Sequence, residues 1–297
     1  MAHHSHQHQH HAASPEHSHE HDEAGLAEML DLDAEVLHAH LSELTGWLKD
    51  FATDAPVRRI LDLGSGTGTG TFALLSRFAE AEVVAVDRSP YMLGHLLDRA
   101  RERGVAGRVR TVEADLDAGR PDVDQADLVW AAASLHHMAD PDRSLREVFE
   151  VVRPGGLLAV VEIDGFPRFL PEDLGLGRPG LEERCRAAMS DRHAEQVPHL
   201  GDDWGPRLTG AGFTIEAERV FGIELRHPLP EATGRYAQAL LRRVRGVLGD
   251  RLDAEDLAVL DVLTDSDGPD GVLRREDLVI RAERSVWVAR RPVPPTG

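Results

Sequence analysis

The sequence predicts a doubly wound α/β fold, in which a mostly parallel sheet of about seven strands carries helices on both faces. Short apolar runs alternate with helical stretches from Val57 onward. The runs indicate strands buried on both faces, as in a parallel sheet, and the helices between them have clear start and stop residues. With 297 residues, 41% of them hydrophobic, the chain is long enough for one large domain or two small ones.

Five apolar runs predict strands that are buried on both faces, as in a parallel sheet. They read VRRILDLG, EVVAVD, RVRTVEAD, ADLVWAAAS and GGLLAVVEI. Two of the intervening helices have recognisable ends. One has Ser89 as its cap, Pro90 at its first position and Gly104 after its last turn. The other begins with Asp140 and Pro141, so both fit as crossovers between parallel strands.

Segments of different composition flank the strand-rich core. Residues 1–24 are rich in His, Ser, Gln and Glu and contain few apolar residues, so we expect a disordered tail. Leucines spaced by four and three predict a helical cap within residues 25–55. The core is expected over 56–229, a mostly helical insertion over 230–284, and the last strand with a tail over 285–297. The insertion is a candidate lid over a ligand crevice.

Composition predicts a cytoplasmic protein that binds neither nucleic acid nor a membrane. The 33 basic and 52 acidic residues give a formal charge of -19, which repels phosphates and anionic lipid surfaces. The single cysteine, Cys185, cannot form an intrachain disulfide and suits a reducing compartment. No apolar run approaches the length of a membrane helix, and the N-terminus lacks the apolar core of a signal peptide.

The stretch ILDLGSGTGTG, residues 60–70, is a glycine-rich turn between a strand and a helix. Such a turn lets a ligand approach bare backbone, and the helix start offers N–H groups to an anionic group. In the dinucleotide fingerprint G-x-G-x-x-G starting at Gly64, the third glycine would be residue 69, which is Thr69. The third glycine is Gly68 instead, so the spacing departs from the dinucleotide pattern.

The series Asp62, Gly64, Gly66 and Gly68 resembles the D-x-G-x-G-x-G loop of class I S-adenosylmethionine-dependent methyltransferases, whose sheet is Rossmann-like. The resemblance recurs along the chain. Acidic residues end the next two strands, and the stretch from the fourth to the fifth strand, with its His-His and Arg-Pro-Gly-Gly, is similar to the small-molecule branch of that family. The similarity covers about residues 57–221 and resumes at Val286.

This resemblance implies S-adenosylmethionine as the cofactor. Asp62 would face the ammonium group of the cofactor, because its carboxylate carries the opposite charge. The N–H groups of the loop would donate hydrogen bonds to the carboxylate of the cofactor. In the family, the acid at Asp87 accepts hydrogen bonds from the ribose hydroxyls, and Asp115 and Leu116 match the residues that hold the adenine. The predicted cofactor-binding residues are Asp62, Gly64, Ser65, Gly66, Gly68, Asp87, Arg88, Met92, Asp115, Leu116 and Ala132.

The resemblance implies methyl transfer by in-line displacement onto a small-molecule acceptor. A base is needed only if the acceptor arrives protonated, and His136 and His137, just beyond the fourth strand, are the candidates. One of them could instead brace the loop. Asp164, after the fifth strand, is a candidate for holding an amine or hydroxyl of the acceptor, or it caps the next segment.

Two alternative functions remain open from the sequence. A nicotinamide-dependent oxidoreductase would also use Asp87, although the glycine spacing and Asp115 do not suit it. A non-catalytic, metal-responsive protein is the other, because nine of the first 21 residues are histidine and would bind transition metals in solution. No structured metal site follows from this tail. The acceptor atom and the oligomeric state stay open, with a homodimer among the options.

Overall fold

The structure is a computed structural model that describes residues 15–53 and 55–295, with side chains described from residue 22 onward. In these residues a seven-stranded sheet carries helices on both faces, which confirms the predicted fold class. The strands are β1 (Arg59–Leu63), β2 (Glu82–Asp87), β3 (Val109–Glu113), β4 (Ala126–Ala132), β5 (Val152–Ile163), β6 (Thr214–Leu225) and β7 (Ile280–Arg290). The helices are α1 (Pro15–Val36), α2 (His38–Lys49), α3 (Thr69–Arg77), α4 (Pro90–Glu102), α5 (Pro141–Val151), α6 (Leu181–Gln196), α7 (Gly205–Gly210), α8 (Thr233–Val247) and α9 (Ala254–Thr264).

The strand order places a ligand crevice at one edge of the sheet. The order is β3-β2-β1-β4-β5-β7-β6, with β1 to β5 parallel and β7 antiparallel to both of its neighbours. The chain runs outward from β1 to β3 and then returns to β4 on the other side of β1. At such a switch point the loops diverge and leave a crevice at the carboxyl ends of the strands.

The predicted helix ends occupy their expected positions. The Ser89 hydroxyl accepts a hydrogen bond from the Met92 N–H, 3.2 Å away, at the start of α4. The Asp140 carboxylate accepts one from the Arg143 N–H, 3.0 Å away, at the start of α5. Each cap satisfies one of the backbone donors that a helix start leaves unpaired. These caps set where each helix leaves the carboxyl edge of the sheet.

The N-terminal segment differs from its prediction in two ways. Helix α1 begins at Pro15, whereas disorder was expected over residues 1–24; residues 1–14 lie outside the described part. The expected single helical face is also divided at Leu37 into α1 and α2. The division follows from packing, because Leu32 and Leu37 join the cluster around α8 while Leu44 joins the cluster beneath β1.

Other differences concern the burial of β3, the first residue of β7 and a helix that the sequence did not predict. Strand β3 is only partly buried, not buried on both faces, because it lies at the edge of the sheet and packs on one neighbour. Strand β7 begins at Ile280, five residues before the expected boundary at 285, because its first residues pair with β6. Helix α6 occupies a stretch for which the sequence predicted no element. Its weak amphipathic pattern explains the omission.

The helical insertion packs its predicted face inward. Tyr236, Leu240 and Val244 of α8 are buried, and Val247 is partly buried against the same cluster. This cluster also contains Leu32 of α1, so α1 and α8 pack together beside the carboxyl edge of the sheet. No helix in the described ranges is long and apolar enough to cross a lipid bilayer.

Candidate active site at the carboxyl ends of the strands

The glycine loop, residues 64–68, joins β1 to α3 at the crevice. Gly64, Gly66 and Gly68 have φ values of 68°, 50° and 86°, in the left-handed region that favours glycine. The N–H groups of Gly64 and Ser65 donate to the carbonyl oxygen of Val86, at 2.9 and 3.0 Å. These bonds hold the loop against the end of β2, so its shape is set before any ligand binds.

Close contacts within the protein explain two of these glycines. A Cβ on Gly64 would lie 2.5 Å from the Cβ of Ser134, and one on Gly68 would lie 2.7 Å from Cγ of Leu96. Side chains at both positions are therefore excluded by neighbouring elements rather than by a ligand. Gly66 differs, because a Cβ there would meet only Cδ1 of Leu30, 3.2 Å away on α1. Helix α1 thus lies directly over the loop.

Asp62 is a buried carboxyl group beneath the glycine loop. Its Oδ2 accepts a hydrogen bond from the Thr71 hydroxyl, 2.6 Å away on α3. Burial raises the pKa of Asp62 to about 6, and the hydrogen bonds from Thr71 oppose this shift only in part. A nearby cation would replace the lost hydration, so the site favours a positively charged group beside Asp62.

Hydroxyl groups of the loop complement this acid. The side-chain oxygens of Ser65 and Thr67 in the loop, and of Thr69 at the first position of α3, are buried and make no hydrogen bond with any described residue. Buried hydroxyls are normally paired, because leaving one unpaired costs about 1–3 kcal/mol. Three unpaired hydroxyls in the loop and at the start of α3 therefore suit a ligand with several oxygen atoms.

Asp87 ends β2 and holds two backbone groups. Its Oδ2 accepts from the N–H of Gly66 at 2.8 Å, and its Oδ1 accepts from the N–H of Ser89 at 2.9 Å. Each carboxylate oxygen can accept a second hydrogen bond. The Ser89 hydroxyl donates to Glu23 of α1 at 2.5 Å, so α1 also reaches this part of the crevice.

The remaining predicted cofactor residues lie at the ends of β3 and β4 and on α4. Asp115 is exposed and its Oδ1 accepts from the N–H of Asp117 at 2.9 Å. Leu116 and Met92 are buried, at 9% and 4% exposure, so both can present apolar surface to a flat ring. Arg88 is exposed, and Ala132 is the last residue of β4. The structure brings these positions to the same edge of the sheet.

His136 lies in a short turn after β4 and is paired with a buried acid. Its Nδ1 lies 2.5 Å from Oε2 of Glu162, a β5 residue that is 2% exposed. The other oxygen of Glu162 accepts the N–H of Leu135 at 3.1 Å. Sequence reasoning missed Glu162, although a lone acid in the apolar run LLAVVEI was a usable signal. The carboxylate orients the imidazole and leaves its Nε2 for other partners.

The turn that carries His136 begins with a strained residue. Ala133 has a φ of 48°, in the left-handed region, which costs a non-glycine residue roughly 1–2 kcal/mol. Its N–H is held by the carbonyl oxygen of Val161 at 2.8 Å. The Ser134 hydroxyl then donates to the carbonyl oxygen of Leu63 at 3.0 Å. The turn is thus fixed to both neighbouring strands, and this fixes where His136 stands.

His137 differs from His136 in exposure and in charge environment. The residue is exposed, and its ring centre lies 4.2 Å from that of His136. Desolvation by the surrounding protein, and then the positive charges of His136 and Arg88, lower the pKa of His137 to about 4. His137 is therefore neutral at neutral pH and takes up a proton poorly.

A third histidine joins this pair from α6. The charge of His193 contributes to the lowered pKa of His137, and desolvation and then the charge of His136 lower the pKa of His193. Sequence reasoning missed His193, because the helix that carries it was not predicted. Asp164 lies nearby after β5 and is exposed. Among the described residues, no group of three or more His, Cys, Asp or Glu has the geometry of a metal site.

Comparisons with known proteins identify the family. Residues 60–156 match the family model described as a methyltransferase domain. A malonyl-(acyl-carrier protein) O-methyltransferase of Laribacter hongkongensis is 30% identical over 229 residues, which are 73% of this chain and 72% of that protein. The chain belongs to the class I S-adenosylmethionine-dependent methyltransferases. The methyl donor of this methyltransferase family, S-adenosylmethionine, fits the acid and the unpaired hydroxyls of the glycine loop.

Other similarities of this methyltransferase cover less or carry only the fold. The ubiquinone/menaquinone biosynthesis C-methyltransferase UbiE of Idiomarina loihiensis is 36% identical over 105 residues, 35% of this chain and 42% of that protein. The match therefore spans less than half of that relative. The solved structure of the cyclase SpnF has a TM-score of 0.50 at 22% identity, covering 85% of this chain and 81% of that chain. A shared fold does not fix the reaction.

Proposed function

We propose that the protein transfers the methyl group of S-adenosylmethionine to a small-molecule acceptor. The observation that carries this proposal is the buried Asp62 beneath the glycine loop, together with the unpaired hydroxyls of that loop. An acid suits the ammonium of a methionyl group, and hydroxyl and N–H donors suit its carboxylate. A dinucleotide pyrophosphate would be repelled by Asp62, so the nicotinamide alternative is not favoured.

Further residues would hold the rest of the cofactor. Asp87 has a spare acceptor site on each carboxylate oxygen for the ribose hydroxyls. Leu116 and Met92 offer apolar surface for the adenine, and the exposed Asp115 offers a carboxylate for its amino group. These assignments rest on the resemblance of the motifs and on the positions of the residues at one edge of the sheet.

The chain itself would contribute orientation and proton transfer. S-adenosylmethionine supplies an already activated methyl group on a sulfonium. Alignment of the acceptor can lower such a barrier by roughly 7–11 kcal/mol. If the acceptor carries a proton, Nε2 of His136 is the group to remove it, because Glu162 stabilises the imidazolium that then forms. His137 is a poor base, since its pKa of about 4 disfavours protonation.

The relatives and the charge of the chain support a chemical class for the methyl acceptor. The two relatives are named for methylation at carbon and at oxygen, so we assign the acceptor as a small molecule without choosing its atom. The formal charge of -19 supports an acceptor other than a nucleic acid. The single cysteine, Cys185, which is free and buried, supports a reducing, cytoplasmic location.

Calorimetric titration with S-adenosylmethionine, and separately with NADH, tests the cofactor assignment. We expect micromolar binding of S-adenosylmethionine and none of NADH. Replacing Asp87 by alanine removes acceptors for the ribose and should weaken binding about 100-fold, since each charge-assisted hydrogen bond is worth about 1.5–3 kcal/mol. Glu102→Ala, at an exposed position on α4, is the matched control. Binding of NADH alone would overturn the proposal.

Methyl transfer to a panel of protonated acceptors tests the base. Formation of S-adenosylhomocysteine should fall about 100-fold or more in His136→Ala, at unchanged affinity for S-adenosylmethionine. His137→Ala is the comparison and should retain most of the activity, because its ring is a poor proton acceptor. Equal losses of activity in His136→Ala and His137→Ala would contradict the assignment of His136 as the base.

A further inference from the structure

A groove beyond the end of β5 lies outside the predicted cofactor site. Strand β5 stops pairing with β7 at Ile163, whereas β6 and β7 continue together to the pair Leu225 and Ile280. This projecting hairpin, the loop after β5 and helix α6 enclose a cavity of about 560 Å³. Its walls carry three arginines from three segments, Arg168, Arg186 and Arg281, and we name it the arginine groove.

The two deeper arginines have unused hydrogen-bonding capacity. The guanidinium of Arg168 makes no hydrogen bond or ion pair with any described residue, although the side chain is half-buried. Nε of Arg281 is buried and has no hydrogen-bond partner among the described residues. Its Nη2 donates to the carbonyl oxygen of Leu170 at 2.6 Å. A buried donor is normally paired, so Nε of Arg281 points to a missing acceptor, and the guanidinium of Arg168 lines the same groove.

The protein provides little negative charge to balance these arginines. The nearest carboxyl group to Arg281 is that of Glu182, 4.0 Å from Nη2. Glu182 is engaged with the N–H groups of Phe169 and Leu170, at 2.7 and 3.0 Å. Burial raises the pKa of Glu182 to about 7, although the hydrogen bonds from Phe169 and Leu170 and the charges of Arg281 and Arg168 oppose this shift, so the group is only partly charged at neutral pH.

Carboxylates also line the groove, but they lie at its exposed rim. Glu224 and Glu283 are exposed on the hairpin, and Glu224 is bonded to Arg226 at 2.5 Å. Asp164 is exposed at the other end of the groove. Exposed charges are screened by water and salt, whereas half-buried ones are screened less. The inner part of the groove is therefore positive in a protein whose formal charge is -19.

The groove continues towards the histidines after β4. Phe166 lines the groove, and its ring centre lies 6.1 Å from that of His193 on α6. Arg186 and His193 are seven residues apart on α6, a spacing that places both on one face of a helix. Asp164, which begins the groove, follows Glu162 by two residues. A molecule in the groove can thus extend towards His136.

We infer that the arginine groove binds an anionic group, a carboxylate or a phosphate, of the methyl acceptor. The orientation of the acceptor rests on the proposed function, because that function places the reacting atom of the acceptor near His136. The guanidinium groups of Arg168 and Arg281 hold the anion by charge-assisted hydrogen bonds. Phe166 and Ile223 offer apolar surface to the part of the acceptor between the two ends.

Binding of small aromatic anions, measured by saturation-transfer NMR, tests the groove without knowledge of the acceptor. Benzoate and phenyl phosphate are the two probes, and benzamide is a neutral control with the shape of benzoate. We expect the anions to bind and benzamide to bind at least about tenfold more weakly, because one charge-assisted hydrogen bond is worth more than 1.4 kcal/mol. The stronger of the two anions identifies the preferred group.

Variants locate the binding. Arg168→Gln should weaken anion binding about tenfold, and Arg168→Lys should restore part of it. Arg168 is the cleaner position, because Arg281 also bonds to the backbone. Arg110→Gln, exposed on the far edge strand β3, is the matched control. Affinity for S-adenosylmethionine should remain unchanged in every variant, which also shows that they are folded.

The outcomes separate this inference from the proposed function. Equal binding of benzoate and benzamide, or anion binding that is insensitive to Arg168→Gln, would overturn the arginine groove as an anion site. If the unmodified protein did not bind S-adenosylmethionine, the proposed function would be overturned instead, whether or not benzoate and phenyl phosphate bind.

Discussion

At the scale of single residues, the pair His136–Glu162 defines the candidate catalytic centre. Both side chains are buried, and Glu162 serves two donors, the Nδ1 of His136 and the N–H of Leu135. The pair therefore has a structural and a positioning role at once. Neither histidine of the sequence His-His could be preferred on geometry until Glu162 was located beside one of them.

Replacing Glu162 by alanine should destabilise the protein. The change leaves two buried donors unpaired, and each unpaired group costs about 1–3 kcal/mol, so we expect a loss of about 2–6 kcal/mol in the free energy of unfolding. Urea unfolding at equilibrium measures it. Glu162→Gln, which keeps an acceptor, should lose less. Glu218→Ala, at an exposed position on β6, should change the free energy by less than about 0.5 kcal/mol. A harmless Glu162→Ala would mean that the pair is not formed.

Asp62 should make stability fall as pH rises. Burial raises the pKa of the folded carboxyl to about 6 from an ordinary 3.8, so between these values the folded state holds a proton that the unfolded state releases. Asp62→Asn removes this penalty and should stabilise the protein at pH 8 by at most about 3 kcal/mol, with little effect at pH 3.

Asp62→Asn should also weaken the binding of S-adenosylmethionine, because it removes the negative charge that would face the ammonium. Melting temperature against pH and calorimetric titration measure the two effects. Thr71→Val, which removes the hydroxyl bonded to Asp62, serves as a comparison and should move the pKa of Asp62 further up. A melting curve of Asp62→Asn that parallels the original protein at every pH would contradict this account.

At the scale of elements, α1 is the part of the chain that lies across the crevice. Leu30 stands over Gly66, and Glu23 accepts a hydrogen bond from Ser89. Asp31 is paired with His95 at 2.8 Å and with Arg99, both on α4. These contacts join α1 to the glycine loop, to the turn after β2 and to α4. If the cofactor binds beneath α1, these contacts would restrain its entry and release.

Removing the Asp31 contacts should speed release of S-adenosylmethionine. We expect the dissociation rate to rise about fivefold in Asp31→Ala, because a partly exposed ion pair is worth roughly 1 kcal/mol. Stopped-flow displacement measures the rate, and hydrogen exchange over residues 22–36 should rise in parallel. Glu28→Ala, exposed on the same helix, is the control. An unchanged dissociation rate in Asp31→Ala would show that α1 does not restrain the cofactor.

At the scale of the whole molecule, the sheet positions both the predicted cofactor residues and the arginine groove. The parallel half, β3 to β4, brings the glycine loop and its acids together. The hairpin of β6 and β7 projects beyond the end of β5 and forms the arginine groove with the loop after β5 and α6. His136 stands between them, at the pairing of β4 with β5. The cofactor and the acceptor would thus meet near the middle of the sheet.

Two truncations distinguish the contribution of the histidine-rich tail from that of the start of α1. Deleting residues 1–14 should leave affinity for S-adenosylmethionine and the free energy of unfolding unchanged within about 0.5 kcal/mol, because no described contact of the site is lost. Deleting residues 1–23 removes the start of α1 with Glu23, and should lower the affinity. Calorimetry on the two truncated proteins checks this. A loss in the shorter truncation would favour a functional role for the histidine-rich tail.

Local patterns sufficed for the fold class and for placing the predicted cofactor residues at one edge of the sheet. The glycine loop, Asp62 and Asp87 lie within single strand–turn–helix units, whose apolar runs, glycines and caps are adjacent in the sequence. The carboxyl ends of parallel strands share one edge, so the motifs alone predicted that these residues meet. The sequence by itself therefore determined the type of sheet, the side on which the crevice opens and the family to which the chain belongs.

Only the tertiary structure decided which distant residues touch. Glu162 meets His136 across 26 positions because β4 and β5 are neighbours, and α1 lies over the glycine loop because Leu32 packs with α8. The arginine groove joins residues 168, 186 and 281 from three segments. Such contacts depend on how buried faces of separate elements pack together, and no local spacing records that packing.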